Sequence, residues 1–361
     1  MVPQIAADFG VTPTTAASLG AAFAAYGLIQ PVLGPVADAI SKPRVMIACL
    51  MLLVVSCLLS AVATNFWVLF ALRVLGGAAC GGSFPIGMAM IGDLVPLSQR
   101  QVMIGRLLSA TIAGNLLGAA AAGIVADIIH WRGMFFILAG ISMLALLIGA
   151  FGLRGLPSPP PQPLDVRSVI ERNRSIFAIR AARICYATVA FEALFLFGIF
   201  PYVAVLLQAG GEPRAAVAGL VVAAFAVGGM AYSLSVRPLL RWFSQKQMMI
   251  AGGALAAAGL LAVAPVPAWP IQALAFGAMG CGFYMLHASI QVYVTEFAPA
   301  ARSSAVAFHT FSFFIGAGIS PILYGIGIDR LGTFATLAAA AVGMAVLGAV
   351  SAQLLVKHRP A

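Results

Sequence analysis

The chain has 361 residues, 62% of them hydrophobic and only 8% charged, whereas a soluble domain carries about a quarter charged residues; it is not a soluble protein. A net charge of +10 would suggest a nucleic-acid partner in a soluble chain. Here the cations sit in short connections between apolar runs, with no basic tail, so DNA and RNA are excluded and lipid is the partner. The five cysteines (Cys49, Cys57, Cys80, Cys185, Cys281) fall inside apolar runs at unrelated spacings, which reads as small packing residues and not as a disulfide framework or metal site.

The chain opens on Met1-Val-Pro-Gln-Ile-Ala-Ala-Asp-Phe-Gly10, too short for a span or a signal peptide. A helical span needs roughly 20 apolar residues. Eleven runs of that kind follow, at about 15–37, 45–63, 67–92, 104–126, 134–153, 184–207, 215–236, 247–264, 269–294, 304–328 and 333–356. Pro265, Pro267 and Pro270 divide the uncharged stretch from Gln247 to Thr295, and Trp269 suits an interface. Alternate connections carry 16 of the 20 Lys and Arg residues, among them Lys42, Arg44, Arg100, Arg106, Arg237, Arg241, Lys246 and Lys357. The positive-inside rule makes those connections, and the C-terminus, cytoplasmic.

The first of these connections reads Gly34-x-x-x-Asp38-x-x-x-Lys42-x-Arg44, with Pro43 stopping the preceding helix. The one long polar connection, Arg154 to Arg183, opens on a proline-rich segment (Pro157 to Pro163) that favours an extended linker. The basic stretch from Arg167 to Arg183 is open to two readings, an amphipathic segment on the inner leaflet or a disordered loop. The linker divides the chain into an N-terminal bundle (1–153), the linker itself (154–183) and a C-terminal six-helix bundle (184–361). The two halves are weak copies of each other. Gly123-Ile-Val-Ala-Asp127 returns as Gly325-Ile-Gly-Ile-Asp329, and Asp93-Leu-Val-Pro96 as Glu296-Phe-Ala-Pro299.

Loop motif, repeats and sidedness together resemble the major facilitator superfamily of secondary transporters, and most closely its bacterial drug and sugar efflux branch. The resemblance covers almost the whole chain. It implies an all-α polytopic membrane protein with the two-bundle fold of parallel pseudo-repeats. Eleven spans of an expected twelve are present, and Met1–Gly10 matches the outer end of a first helix that is not in this sequence; a true eleven-span protein is the alternative. The resemblance also implies a bacterial inner-membrane location, a monomer, no cofactor and no enzymatic reaction. Its substrate would be a small molecule and its driving force a proton gradient.

Within that frame Gly34, Asp38, Lys42 and Arg44 match the family's gating motif, with Ser41 where glycine is usual. Asp38 is then expected to face the positive end of the helix starting near Ser303; helix termination is the plainer role. Arg73, followed by Gly76 and Gly77, resembles the family's proton-coupling arginine motif, or else snorkels to the outer interface. Gly114, Gly118 and Gly123 resemble the antiporter motif, except that Ala119 replaces its proline, and close helix packing accounts for them nearly as well.

Glu192 stands apart as the one acid well inside a span. Burial disfavours the ionised carboxylate, so a site open alternately to each side could carry a proton there. A hydrogen bond to a neighbour such as Tyr186 is the structural alternative. Tyr284, His287 and Gln291 share one face of their helix and are candidates for the substrate cavity, with His309 a weaker one. Phe191, Phe195, Phe197 and Phe200 read as packing residues that could also line a greasy pocket. The sequence leaves three functions open: proton-coupled efflux, facilitated diffusion or uptake, and a non-transporting membrane sensor.

Overall fold

A computed structural model describes residues 1–154, 171, 174–296 and 302–357. The proline-rich segment of the linker, including Pro157 to Pro163, lies outside the described residues. Helices α1 (Val2–Phe9) and α2 (Pro13–Ala17) lead through a 3-10 turn at Ser18–Ala22 into α3 (Phe23–Ile40). Four long helices follow: α4 (Lys42–Ala61), α5 (Phe66–Leu94), α6 (Leu97–Ile128) and α7 (Trp131–Gly152). After the linker come α8 (Arg180–Phe197), a 3-10 turn at Phe200–Tyr202 and α9 (Val203–Ala209). The second half continues with α10 (Ala215–Trp242), α11 (Gln245–Val263), α12 (Trp269–Glu296) and α13 (Arg302–Lys357).

Among the described residues nine segments are long and apolar enough to cross a membrane. One of them, Ala305–Leu355, is two spans in line, because α13 breaks at Gly332, where φ is +81°, a conformation glycine adopts without a steric penalty. Helix α6, at 32 residues, supplies one more of membrane length. Only a single residue, Ser41, separates α3 from α4, and Pro43 occupies the first turn of α4, where its missing N–H costs nothing.

Two of the apolar runs are not continuous helices. The run at 15–37 breaks into the 3-10 turn around Gly20, and the run at 184–207 breaks after Phe197. Pro201 explains the second break, since it has no N–H to continue the helix ladder. The first break lies against it: a Cβ on Gly20 would come within 2.8 Å of Pro201 and 3.0 Å of Pro321. The Tyr202 hydroxyl, just after the second break, donates to the Pro321 carbonyl at 2.9 Å and ties the break to α13.

Each half packs around its own interior. In the first, α4 lies against α5 and α7, and α5 against α3; Trp131, Leu69, Phe66 and Phe135 form a buried cluster toward one end. In the second, α12 packs on α10 and α11, and α13 on α8 and α11, around Leu260, Phe276, Met279, Leu286 and Met344. Small residues set these distances, as lipid supplies no hydrophobic drive between helices. At Gly228 and Gly280 any side chain would overlap the backbone of Gly277 and Phe225 respectively, so α10 and α12 touch main chain to main chain. The halves meet along two seams, α6 with α10 and α3 with α13.

Candidate functional site

The second bundle holds a cluster of ionisable side chains at the junction of α8, α12 and α13. Glu192, midway along α8, is fully buried, and its Oε2 lies 2.7 Å from His287 Nδ1 on α12. The His287 side chain keeps 17% of its surface exposed, so the pair is closed on one side and reachable on the other. The ring of His309, from α13, sits 5.0 Å from that of His287 and is itself buried. Phe283 stacks on His287 at 4.8 Å and Phe313 meets it edge-on at 5.4 Å. This arrangement depends on a close approach of α8 and α13, which Gly316 permits by lying against the Ala190 backbone.

The geometry constrains the chemistry. A 2.7 Å contact between a carboxylate oxygen and an imidazole nitrogen needs a proton between them. The pair therefore passes from a net negative state to a neutral one by binding one further proton, and its two groups titrate as a unit. Two buried atoms beside it have no hydrogen-bond partner among the described residues, Glu192 Oε1 and His309 Nε2. An unpaired buried polar atom costs about 1–3 kcal/mol, and functional sites are where natural proteins tolerate such a cost.

Glu192 and His287 are separate candidates in the sequence, and the fold joins them across 95 residues. The alternative of a Tyr186 contact is not what the structure has: its hydroxyl donates to the Ala305 carbonyl at 3.2 Å, and His287 lies beside Glu192. His309 enters the cluster with more weight than its sequence position suggested. Tyr284, one turn from His287, packs between Phe225 and Phe283 over Gly229, while Gln291 is exposed. Of the four phenylalanines, Phe197 and Phe200 belong to a stack that includes Phe225, Phe283 and Phe313. Phe191 is exposed and stacks on Phe195.

The remaining candidates lie in the first bundle. Lys42 forms an ion pair with Asp93 of α5 at 2.8 Å, a partner that the loop motif by itself does not reveal. Arg44 borders an apolar groove between α3 and α4 with Ile40 and Leu52. Gly34 and Asp38 belong to α3, but their side-chain placement, like that of Ser303, lies outside the described residues. Arg73 lies with its guanidinium 5.3 Å from the Phe135 ring of α7, a cation–π contact in the bundle opposite to Glu192. Gly123 is packed against the backbone of Ala215, whereas Gly114 and Gly118 have open space where a Cβ would be.

Comparison with known proteins agrees with this architecture. The sequence model described as Major Facilitator Superfamily matches residues 1–321. The inner membrane transport protein YnfM of Escherichia coli (strain K12) is 25% identical over 353 residues, spanning 93% of this chain and 82% of that protein. The quinolone resistance protein NorA of Staphylococcus aureus (strain MRSA252) is 28% identical over 202 residues, a match spanning 54% of this chain and 52% of NorA. Among solved structures, a D-xylose-proton symporter superimposes with a TM-score of 0.75 at 16% identity, over 99% of this chain and 92% of that one. A mutant of the nucleoside transporter NupG gives 0.73, also at 16% identity, over 95% and 90%. With the family model covering most of its length, this chain belongs to the major facilitator superfamily.

Proposed function

We propose that the chain is a proton-coupled exporter of a small molecule, working by alternating access in a bacterial inner membrane, and that Glu192 with His287 forms its coupling site. The observation that carries the reading is the fully buried carboxylate bonded at 2.7 Å to a partly exposed imidazole. Such a pair changes its net charge by binding one proton, and a charge held in an apolar bundle is costly enough to bias which conformation is preferred. His309, with its unpaired Nε2, extends the site toward α13. The likeness to NorA favours export and makes quinolones the first compounds to try. The name of YnfM supports the inner membrane. Asp38, Lys42 and Arg44 act as the inner gate, and Arg73 orders the first bundle through Phe135.

Inverted membrane vesicles holding a pH gradient, read by a quenched weak-base dye, test this. Substrate-dependent collapse of the gradient, abolished in Glu192→Gln, is the expected result. Collapse that persists in Glu192→Gln removes the coupling role, and transport that ignores the gradient altogether favours a facilitator.

A further inference from the structure

The repeated segment Gly-x-x-x-Asp has a use that the coupling site does not explain. In its first copy, Asp127 ends α6 and reaches across the seam between the bundles. Its Oδ1 accepts the backbone N–H of Ala215 at 2.8 Å, and its Oδ2 that of Ala216 at 2.6 Å. These are first-turn N–H groups of α10, which have no partner within their own helix. The local N-cap residue, Arg214, makes no side-chain cap, and its guanidinium is held by Glu212 at 2.6 and 2.7 Å. Asp127 thus caps in trans a helix whose own sequence lacks a cap.

The second copy does the reciprocal thing. Asp329 Oδ1, on α13, accepts the hydroxyl of Thr14 in the first turn of α2, at 3.0 Å. Asp329 stands 202 residues after Asp127, and Thr14 stands 202 residues before Ala216. Each bundle therefore offers one acid to the same repeat position of the other, as in an isologous two-fold contact. The glycines four residues earlier bring the chains together: Gly123 lies against the Ala215 backbone and Gly325 against the Thr14 side chain. The donors differ for a visible reason. Helix α2 already has its cap, Thr12 Oγ1 accepting the Thr15 N–H at 3.1 Å, so there the acid takes a side chain.

We infer that Asp127 and Asp329 are paired latches that hold the two bundles closed at the face opposite the cation-rich connections. Both must let go for that face to open in each transport cycle. Placing the latches outside rests on the charge-based orientation; their existence does not.

Spin-label pairs read the opening directly in lipid nanodiscs, with the five native cysteines replaced by alanine. One pair, Ile129→Cys with Gln208→Cys, joins the residue two after Asp127 to α9 of the other bundle, and another, Trp67→Cys with Leu331→Cys, joins α5 to the residue two after Asp329; all four positions are exposed. Each latch is broken and read at the other. Asp127→Ala should raise the longer-distance population of the Trp67/Leu331 pair by about two- to thirty-fold, the range expected for loss of a helix cap. Asp329→Ala, which loses one side-chain hydrogen bond and not a cap, should raise that of Ile129/Gln208 by about two- to ten-fold. Thr14→Val and Asp127→Asn, milder in shape, guard against misfolding and should move the populations in the same direction. A change confined to the broken latch means local fraying and overturns the proposal, as does no change at either pair. Sidedness is read from Ile129→Cys with a membrane-impermeant maleimide. Labelling in intact cells is expected, and labelling only in inverted vesicles overturns the outer placement.

Discussion

Removing His287 should reveal what the buried pair costs and what it is for. Glu192 has no exposed surface, and its Oε1 already lacks a partner among the described residues. His287→Ala therefore leaves both carboxylate oxygens unpaired. Breaking a buried charge pair from one side costs about 3–5 kcal/mol; taking up a proton reduces this toward the ~1–3 kcal/mol of an unsatisfied neutral group. The expected loss is about 3 kcal/mol at neutral pH and roughly half that near pH 5, because acid supplies the proton that neutralises the stranded carboxylate. Replacing both partners by apolar side chains of similar size, Glu192→Leu with His287→Phe, should return stability to within about 1 kcal/mol of the parent while coupling is lost. Denaturant unfolding in mixed micelles at two pH values measures the first quantity, and dye-loaded vesicles the second. If His287→Ala costs less than about 0.5 kcal/mol at both pH values, the pair is not the buried electrostatic unit described. A double variant as unstable as the single one would refute the argument in a different way, pointing to packing.

Two further outcomes follow from geometry elsewhere. Burial pushes Asp8 up, but hydrogen bonds from Trp131 and Arg132 and the nearby charges of His130 and Arg132 outweigh it and hold the carboxyl below its ordinary value. A depressed carboxyl contributes its stability above its unfolded value, about pH 4, and loses it as pH falls through the folded one. Amide exchange in α1 should accelerate in that acid window, and Asp8→Asn should remove the pH dependence. Gly228→Ala should cost about 2 kcal/mol or more, since the new Cβ meets the Gly277 backbone and cannot be accommodated by a rotamer change. Gly114→Ala meets nothing within 4 Å and should leave stability equal or slightly improved. A transport defect in Gly114→Ala without a stability loss would locate the motif's role in another conformation of the cycle.

The spans are legible in the sequence because apolar length is a local property. The contacts that make the site are not local. Glu192 could be singled out as an acid in an apolar run, but nothing near it names His287, 95 residues away on another helix. Tyr186, the neighbour favoured by proximity, turns instead to the Ala305 carbonyl. Helix breaks divide in the same manner. Pro201 is a visible cause, whereas the break at Gly20 lies against Pro201 and Pro321 of the other bundle, a contact that no local signal names. The repeat exposes Asp127 and Asp329 as equivalent positions but not what they bind, since the Asp127 partners are backbone N–H groups that carry no sequence signal.

Helix α13 is the element these features share. It supplies His309 beside the carboxylate–imidazole pair, Phe313 against the His287 ring, and Asp329 three residues before the break at Gly332. Between them Phe314 crosses the seam, its ring 4.3 Å from Tyr26 of α3, and Gly318 packs against Ala24. Tight contact on both sides leaves α13 little room to deform, so a shift at His309 is transmitted as motion of the whole helix and not absorbed by loose side chains. The hydrogen bonds of Ser320 and Tyr324 to the carbonyls of Leu194 and Phe195 tie that motion to α8, the helix that carries Glu192. On the proposed coupling role, a change of protonation at the pair acts on α8 and on α13, the helix that packs against α3 at one seam. If Glu192 and His287 couple transport to protons as proposed, the path from the pair to the seam is no longer than α8 and α13 themselves.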